Sequence, residues 1–478
     1  MSSCQDQDAR LIARSRGGAL QREYHINRWQ TSKGAEMSMT ILYVCDNRDE
    51  PSWGGRANSI ALGQHLVSHG DLISIGRSWA ITPIPIGNLV EPIHRNHYGG
   101  KVVRRALRKR SGRRALRVLN NYADYVELEP RRSVARFEKA ARTDPSLSWL
   151  RDQFEAADVV VINGEGSLVF REKLGRDVRF QLLAVELAAD RGKPVGYINA
   201  LASNCPSTQA AAPVQQAVRR SLERCNAVVV RDPMSRQRLR DLGLSRVGLA
   251  PDAVFTWASR YGPFLDGPLG RERPELFDSW PESDRFLRTP SAWPDNYVCV
   301  GGASRYPGQD LSHWPDFFEA LVRRLETVIG LPVVVIDSGG DSFLERVARR
   351  TRSLLIRPPV NLLMALYALA NARAFVSGRF HPSVMASLGG TPCTFLECQA
   401  HKTLSIQQQL EYSEPKVFPI APSEGNLAAI VRDVEEQLAG GQLVRNQIRR
   451  TALRLAEEAT QEIHNTVSGL CGNAGPSR

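Results

Sequence analysis

Short apolar segments alternate with stretches of helix length along most of this chain, and the alternation stops once and then restarts. TILYV (40–44), DLISIG (71–76), DVVVIN (158–163), VGYINA (195–200) and AVVVR (227–231) read as strands of a buried sheet. Ile60, Ala61, Leu62 and Leu66 mark a helix between the first two. Phe180, Leu183, Ala184, Leu187 and Ala188 lay one apolar stripe at helical spacing, and Gly192 stops that helix. A further helix is expected over 214–224. Six prolines (263, 268, 274, 281, 290 and 294) then fall within 258–296, which reads as an interdomain linker. The rhythm resumes with YVCV (297–300), LPVVVID (331–337), LLI (354–356), AFVSG (374–378) and PCTFL (392–396). Leu321, Leu325 and Val328 mark one intervening helix, and Leu363, Leu366 and Leu369 another. Strands separated by helices pair in parallel, because parallel neighbours need a crossover. The expected fold is α/β, with two doubly wound Rossmann-like domains facing a cleft. Such a pair sets the C-terminal ends of both sheets on shared ground, where ligands bind.

The boundaries follow. Residues 1–37 carry no strand or helix period, and Met37 and Met39 stand directly before the first strand. That stretch is expected to be a disordered or non-native leader. Residues 38–257 form the N-terminal domain, interrupted by a basic, irregular insertion at about 85–150. The linker (258–296), a C-terminal domain (297–425) and C-terminal helices with a tail (426–478) complete the chain.

Composition narrows the class. A chain of 478 residues with 42 % apolar and 23 % charged residues can bury a globular core. No apolar run reaches the roughly 18–20 residues of a membrane span, and the first thirty residues carry arginines without an apolar core of a secretory signal. The eight cysteines are scattered, with no C-x-x-C and no Cys/His spacing suited to zinc, so reduced thiols in the cytoplasm are expected and no metal site. A secreted disulfide scaffold, a fibre and an integral membrane protein are thereby excluded. The net charge of +12 favours an anionic partner. Nine Lys or Arg and no acid fall between Lys101 and Arg117. This segment is either a solvated helix face or a patch for an anionic ligand or an anionic membrane surface, the last of which would place the protein at the inner face of the plasma membrane. No nucleic-acid motif accompanies it, and no nucleic-acid partner is expected.

Four loops carry residues suited to chemistry. In NGEGSL (163–168), Gly164 and Gly166 let the backbone approach a ligand, and Glu165 is either a proton-transfer group or the cap of a tight turn. In RDPMS (231–235), Asp232 followed by Pro233 reads as a helix cap, while Arg231 is free to face the cleft. In APDAVF (250–255), Asp252 is a site residue or a turn former. The richest constellation is SGRFHPSVMASLGGTPCTFLECQAHK (377–402). Arg379 and His381 leave a strand in an extended loop that places them on one side, and Pro382 opens a helix. An arginine fork fits a carboxylate or phosphate, and a histidine beside it moves protons near neutral pH. His401 and Lys402 lie past the next strand at the same sheet edge. Ser377 and Asn199, at strand ends, complete the substrate-binding candidates.

The succession of NGEGSL, VGYINA, VVVRDPMS with Gly243, PDAVF, SGRFHPSVMASLGGTPCTFLE and HK resembles the polysaccharide pyruvyl transferase family over about residues 158–405, with weaker support from GGRANSIAL near 54–62. The resemblance implies a two-domain fold similar to GT-B glycosyltransferases. It also implies transfer of pyruvate from phosphoenolpyruvate to a saccharide as a ketal, with lipid-linked saccharides among the acceptors. The matching residues are Glu165; Arg231, Asp232 and Ser235; Asp252; Arg379 and His381; and Lys402. SLVF departs from the more usual threonine and histidine after GEG, and the 85–150 segment has no counterpart in the family pattern. Both departures bear on the acceptor more than on the donor.

The residues agree with this independently. Phosphoenolpyruvate is a small trianion that calls for Arg, Lys and helix N-termini without a nucleotide fingerprint. Ketal formation needs one acid/base pair and a cationic clamp, and no cofactor. His381 and Glu165 are the expected catalytic residues. Arg379, Lys402, Arg231, Gly164, Gly166, Ser377, Asn199 and Asp252 are expected to bind substrate. Three alternatives share the architecture: a nucleotide-sugar glycosyltransferase, a different reaction such as ligation, and a non-catalytic scaffold of polysaccharide assembly at the membrane.

Overall fold

The protein was analysed as a computed structural model, which describes residues 28–29, 39–81, 125–267, 280, 293–306 and 309–474. Fourteen strands are described: β1 (Arg28–Trp29), β2 (Thr40–Asp46), β3 (Asp71–Gly76), β4 (Val159–Asn163), β5 (Leu168–Phe170), β6 (Val195–Ala200), β7 (Ala202–Asn204), β8 (Ala227–Val230), β9 (Gly248–Leu249), β10 (Val298–Ala303), β11 (Val333–Ile336), β12 (Leu354–Ile356), β13 (Ala374–Gly378) and β14 (Cys393–Phe395). They form a seven-stranded sheet in the order β1-β3-β2-β4-β6-β8-β9, a five-stranded sheet in the order β12-β11-β10-β13-β14, and a small β5-β7 pair. All pairings are parallel except that of β1 with β3. Both large sheets are doubly wound. In the first the chain reverses direction of progress between β2 and β4, and in the second between β10 and β13. These are the points at which α/β sheets open a crevice beyond their strand ends.

The strands are apolar on both faces because helices cover both faces. Val159–Asn163, Val195–Ala200, Val298–Ala303 and Ala374–Gly378 are buried along their whole length. The two halves share one core. Phe380, Val384 and Met385 of the C-terminal half pack in the same cluster as Ile60, Ala61 and Val254 of the N-terminal half. The last helix, Gly441–Gly472, contributes Ile448, Leu455, Ile463 and Leu470 to that cluster. It reaches back to the first sheet, where the absence of a side chain at Gly196 makes room for Leu470.

Several boundaries differ from the sequence reading. The leader is not wholly patternless: Arg28 and Trp29 pair with Ile73 and Leu72 at the edge of the first sheet. The segment read as an irregular insertion contains two helices, Pro130–Ala141 and Pro145–Ala156, whose Phe137, Leu147, Leu150 and Phe154 are buried in the N-terminal core. Each starts on a proline, the residue that fits the first helical position because it has no N–H to leave unsatisfied. The Lys101–Arg117 segment lies outside the described residues. The linker begins later than expected: Trp257–Leu265 is a helix with Pro263 inside it, and Trp257, Tyr261 and Phe264 are core residues. A proline late in a short helix removes only one bond of the ladder, and the buried aromatic face outweighs that loss. β5, β7 and β9 are too short to show a period. Among the described residues no helix is long and apolar enough to cross a membrane.

Candidate active site

A cavity of about 320 Å³ lies between the two halves. It opens where both switch points meet. The loop after β4 brings Glu165 and Gly166, and the segment after β2 brings Ser52, Gly54 and Gly55 at the start of the helix Trp53–Leu66. Ser304 follows β10, and Arg379 and His381 follow β13. Arg77 comes from the end of β3, Arg231 from the end of β8, and Lys402 from the first turn of the helix Lys402–Gln409. Arg77, Arg171, Arg231, Arg379 and Lys402 face two acids, Glu165 and Asp177, so the wall is strongly cationic.

Arg231 is fully buried. Its Nη1 donates to Asp252 Oδ2 at 3.0 Å and lies 3.1 Å from His381 Nε2, and its guanidinium rests 4.0 Å above the Phe380 ring. Its Nε and Nη2 have no partner among the described residues. Two donors of a permanently charged group, buried without acceptors, cost free energy unless an anion fills the gap. Nη2 faces Gly166, where an added Cβ would stand 3.8 Å from it and 2.9 Å from Lys402 Nζ. Gly166 thus keeps open the space between the two cations.

His381 bridges the halves. Its Nε2 lies 3.3 Å from Asp252 Oδ2, and its Nδ1 is turned to the helix start, 2.6 Å from where a Cβ on Gly54 would be. Asp252 also accepts from Asn58 Nδ2 at 3.3 Å and from Val254 N at 3.0 Å. Burial alone would raise the Asp252 carboxyl, but the charges of His381 and then Arg231 overcome it and bring it down to about 2. Glu165 sits in a left-handed conformation (φ 38°), an outlier of the kind that concentrates at functional sites. Burial pushes its carboxyl up, and Arg77, His381, Lys402 and Arg231 together hold it below the usual range, so it is ionised. Burial, followed by the charge of Arg231, lowers Lys402 to about 8 against the opposing pull of Glu165.

Several of the expected residues are placed differently. Arg379 and His381 do not share an extended loop: the helix starts at Phe380, with Arg379 as its cap and His381 in the first turn. Pro382 permits this because first-turn N–H groups need no intrahelical acceptor. The Arg379 fork is engaged by Asp341, with Nε to Oδ2 at 2.9 Å and Nη2 to Oδ1 at 2.6 Å, although Arg379 still lines the cavity. Gly164, Ser377 and Asn199 do not line it. Gly164 packs on Ala200 and Tyr197. Ser377 Oγ donates to Gly302 O and accepts from Arg379 N. Asn199 Oδ1 accepts from Ala253 N, fixing the turn that carries Asp252. Asp252 does not line the cavity either: it stands behind the wall, holding Arg231 and His381, and caps its own turn through Val254 N, so the turn reading holds and direct contact with substrate is not what its position offers. Asp232 caps its helix through Ser235 N and binds His401 Nε2 at 3.0 Å, tying the halves together.

Arg77, Arg171, Tyr306 and Asp341 were not legible as site residues. Arg77 directly follows DLISIG, and a strand's C-terminal end was the available signal. Asp341 follows Gly339 and Gly340 in a turn after β11, which sequence alone presents as a surface loop.

A family model described as polysaccharide pyruvyl transferase matches residues 93–399, which includes Glu165, Arg231, Asp252, Arg379 and His381. The chain belongs to the polysaccharide pyruvyl transferase family. No curated protein matches it. Among solved structures, trehalose-6-phosphate from E. coli bound with UDP-2-fluoro glucose aligns at a TM-score of 0.50 and 10 % identity, covering 90 % of this chain and 99 % of that one. UDP-N-acetylglucosamine 2-epimerase from Rickettsia bellii aligns at 0.47 and 12 %, covering 90 % and 100 %. The chain has a GT-B-like architecture, with two doubly wound sheets and a C-terminal helix that returns to the first half.

Proposed function

We propose that this transferase moves pyruvate from phosphoenolpyruvate to two hydroxyls of a saccharide, forming a ketal in the assembly of a surface polysaccharide. The observation that carries the donor is Arg231, fully buried with Nε and Nη2 unpartnered, beside Lys402 on a cavity of about 320 Å³. That volume lies near the lower end of ligand pockets, roughly 300–1,000 Å³. It suits a compact polyanion better than a nucleotide sugar.

The chemistry balances with the groups at hand. A proton reaches the vinyl carbon of the donor, and a saccharide hydroxyl adds to the carbon bearing phosphate. The C–O bond to phosphate then breaks, and the second hydroxyl closes the ring. Of the two hydroxyl protons released, one replaces the proton delivered to carbon and the other leaves with phosphate. His381 delivers the proton, with Asp252 holding the imidazole in place. Ionised Glu165 takes a hydroxyl proton and faces the cationic carbon that forms between steps. Arg231 and Lys402 hold the leaving phosphate.

The test is incubation with phosphoenolpyruvate and extracted lipid-linked saccharides. Phosphate release matched by a pyruvate-sized mass gain on the saccharide is expected. Turnover of a sugar nucleotide with no response to phosphoenolpyruvate would overturn the reading.

A further inference from the structure

The helix Trp53–Leu66 starts at the cavity and presents an unfinished end to it. Its cap residue, Ser52, has the extended backbone of a cap (φ −74°, ψ 119°) but makes no side-chain cap bond. Trp53 N is engaged by Ser338 O at 2.9 Å, and Arg56 N by Ser52 O at 3.0 Å. The amides between them, those of Gly54 and Gly55, have no acceptor among the described residues, and both glycines line the cavity. There is no acid in the first turn. Two open amides at the positive end of a 14-residue helix favour an anion. A second observation at the same cavity points to an anionic ligand: the buried, unpartnered Nε and Nη2 of Arg231.

The two features flank one imidazole. Arg231 Nη1 is 3.1 Å from His381 Nε2, while Gly54 stands against Nδ1 on the other side of the ring. We infer that the cavity has two anion subsites separated by His381, and that the Gly54–Gly55 helix end takes the carboxylate of the donor. The inference rests on the phosphoenolpyruvate reading above. The phosphate, a dianion, belongs with the two full cations Arg231 and Lys402, and the singly charged carboxylate with the partial charge of the helix end. The vinyl carbon between the two groups then lies beside the imidazole that must protonate it. Glycine at 54 is required by this arrangement, because a Cβ there would meet His381 Nδ1 at 2.6 Å.

The test replaces Ser52. In Ser52→Asp the new carboxylate caps the open amides and occupies the subsite, while an acidic cap is favourable to the helix. Titration calorimetry with phosphoenolpyruvate should show binding weakened about tenfold or more, whereas inorganic phosphate binds as in the wild type. Ser52→Asn, whose side-chain oxygen caps the same amides without a charge, should weaken phosphoenolpyruvate binding less than Ser52→Asp. On wild-type protein labelled with ¹⁵N-glycine, phosphoenolpyruvate should shift the Gly54 and Gly55 amides and inorganic phosphate should not. The second measurement needs no variant. Unchanged phosphoenolpyruvate affinity in Ser52→Asp, or no shift at either glycine, would overturn the subsite while leaving the donor intact. Equal weakening of both probes would also overturn it, by placing the phosphate at the helix end. Failure of the wild type to bind phosphoenolpyruvate at all would overturn the donor reading itself, and this assignment with it.

Discussion

Arg231 and Arg379 occupy matching points in the two halves. Each follows the last residue of a parallel strand, β8 or β13, each precedes a helix containing an early proline, and both line the cavity. Their electrostatic situations are opposite. The fork of Arg379 is closed on Asp341 by two hydrogen bonds, so its charge is neutralised locally. Arg231 meets Asp252 through one nitrogen only and keeps two donors open. The difference shows that a strand-end arginine of the right spacing is not by itself an anion clamp. What decides is whether a neighbouring loop of the same half supplies a carboxylate that closes both prongs. On the proposed function the N-terminal half grips the donor through Arg231, and the C-terminal half adds Lys402 and the histidine.

The largest effect is expected where the halves meet. His381 belongs to the C-terminal half by sequence but is held by Arg231 and Asp252 of the other. His381→Ala should lower single-turnover phosphate release by about 100- to 10,000-fold, the range of a lost general acid, while phosphoenolpyruvate affinity stays near normal. Wild-type turnover in this variant would move the proton role to Glu165.

The comparison itself breaks or holds on the arginines. Arg231→Gln should weaken phosphoenolpyruvate binding about a hundredfold, because two charge-assisted hydrogen bonds of roughly 1.5 kcal/mol or more each are lost. Arg231→Lys should restore only part, since a point charge cannot replace the fork. Arg379→Ala should change donor affinity less than about tenfold. Its cost should appear in stability, about 3 kcal/mol, because it leaves the buried Asp341 carboxylate without its partner. Calorimetry and thermal unfolding on the same preparations separate the two. A loss of affinity in Arg379→Ala as large as that in Arg231→Gln would show that Asp341 releases the fork when the donor binds.

This contrast also marks how far the sequence could be read. Strand positions were legible because parallel strands buried on both faces are continuous apolar runs: DLISIG, VGYINA, LLI and AFVSG match the observed strands residue for residue. The residues at their C-terminal ends, Glu165, Arg231 and His381, followed from topology. The state of each side chain did not. Asp341 lies 38 residues before Arg379 and closes its fork only because β11 and β13 flank β10. The distinction between Ser377, which ties β13 to Gly302, and His381, which faces the cavity, is likewise a matter of direction around a helix start that an extended-loop reading cannot give. The open amides of Gly54 and Gly55 carry no side chain at all, so no pattern of residue types could announce them.

The smallest expected effect is a matter of pH and falls on Lys402, the second cation assigned to the phosphate. Its ammonium is pushed down to about 8, first by burial and then by Arg231. As pH rises through about 8 the free enzyme loses this charge, and donor affinity should fall, by at most about tenfold for one charged partner of the phosphate. Stability should move the other way. Between about 8 and the ordinary lysine value of 10.5 the unfolded chain holds a proton that the folded chain has released, so unfolding becomes less favourable as pH rises. A donor titration and a melting series over this interval should therefore diverge, the affinity dropping while the contribution of Lys402 to stability grows. Lys402→Met removes the titrating group and should flatten both trends between pH 8 and 10.5. Lys402→Arg should also flatten both trends but keep the donor bound, because its guanidinium stays charged throughout in the folded and the unfolded chain. An affinity limb that persists unchanged in Lys402→Arg would assign it to another group and leave Arg231 as the sole grip on the phosphate.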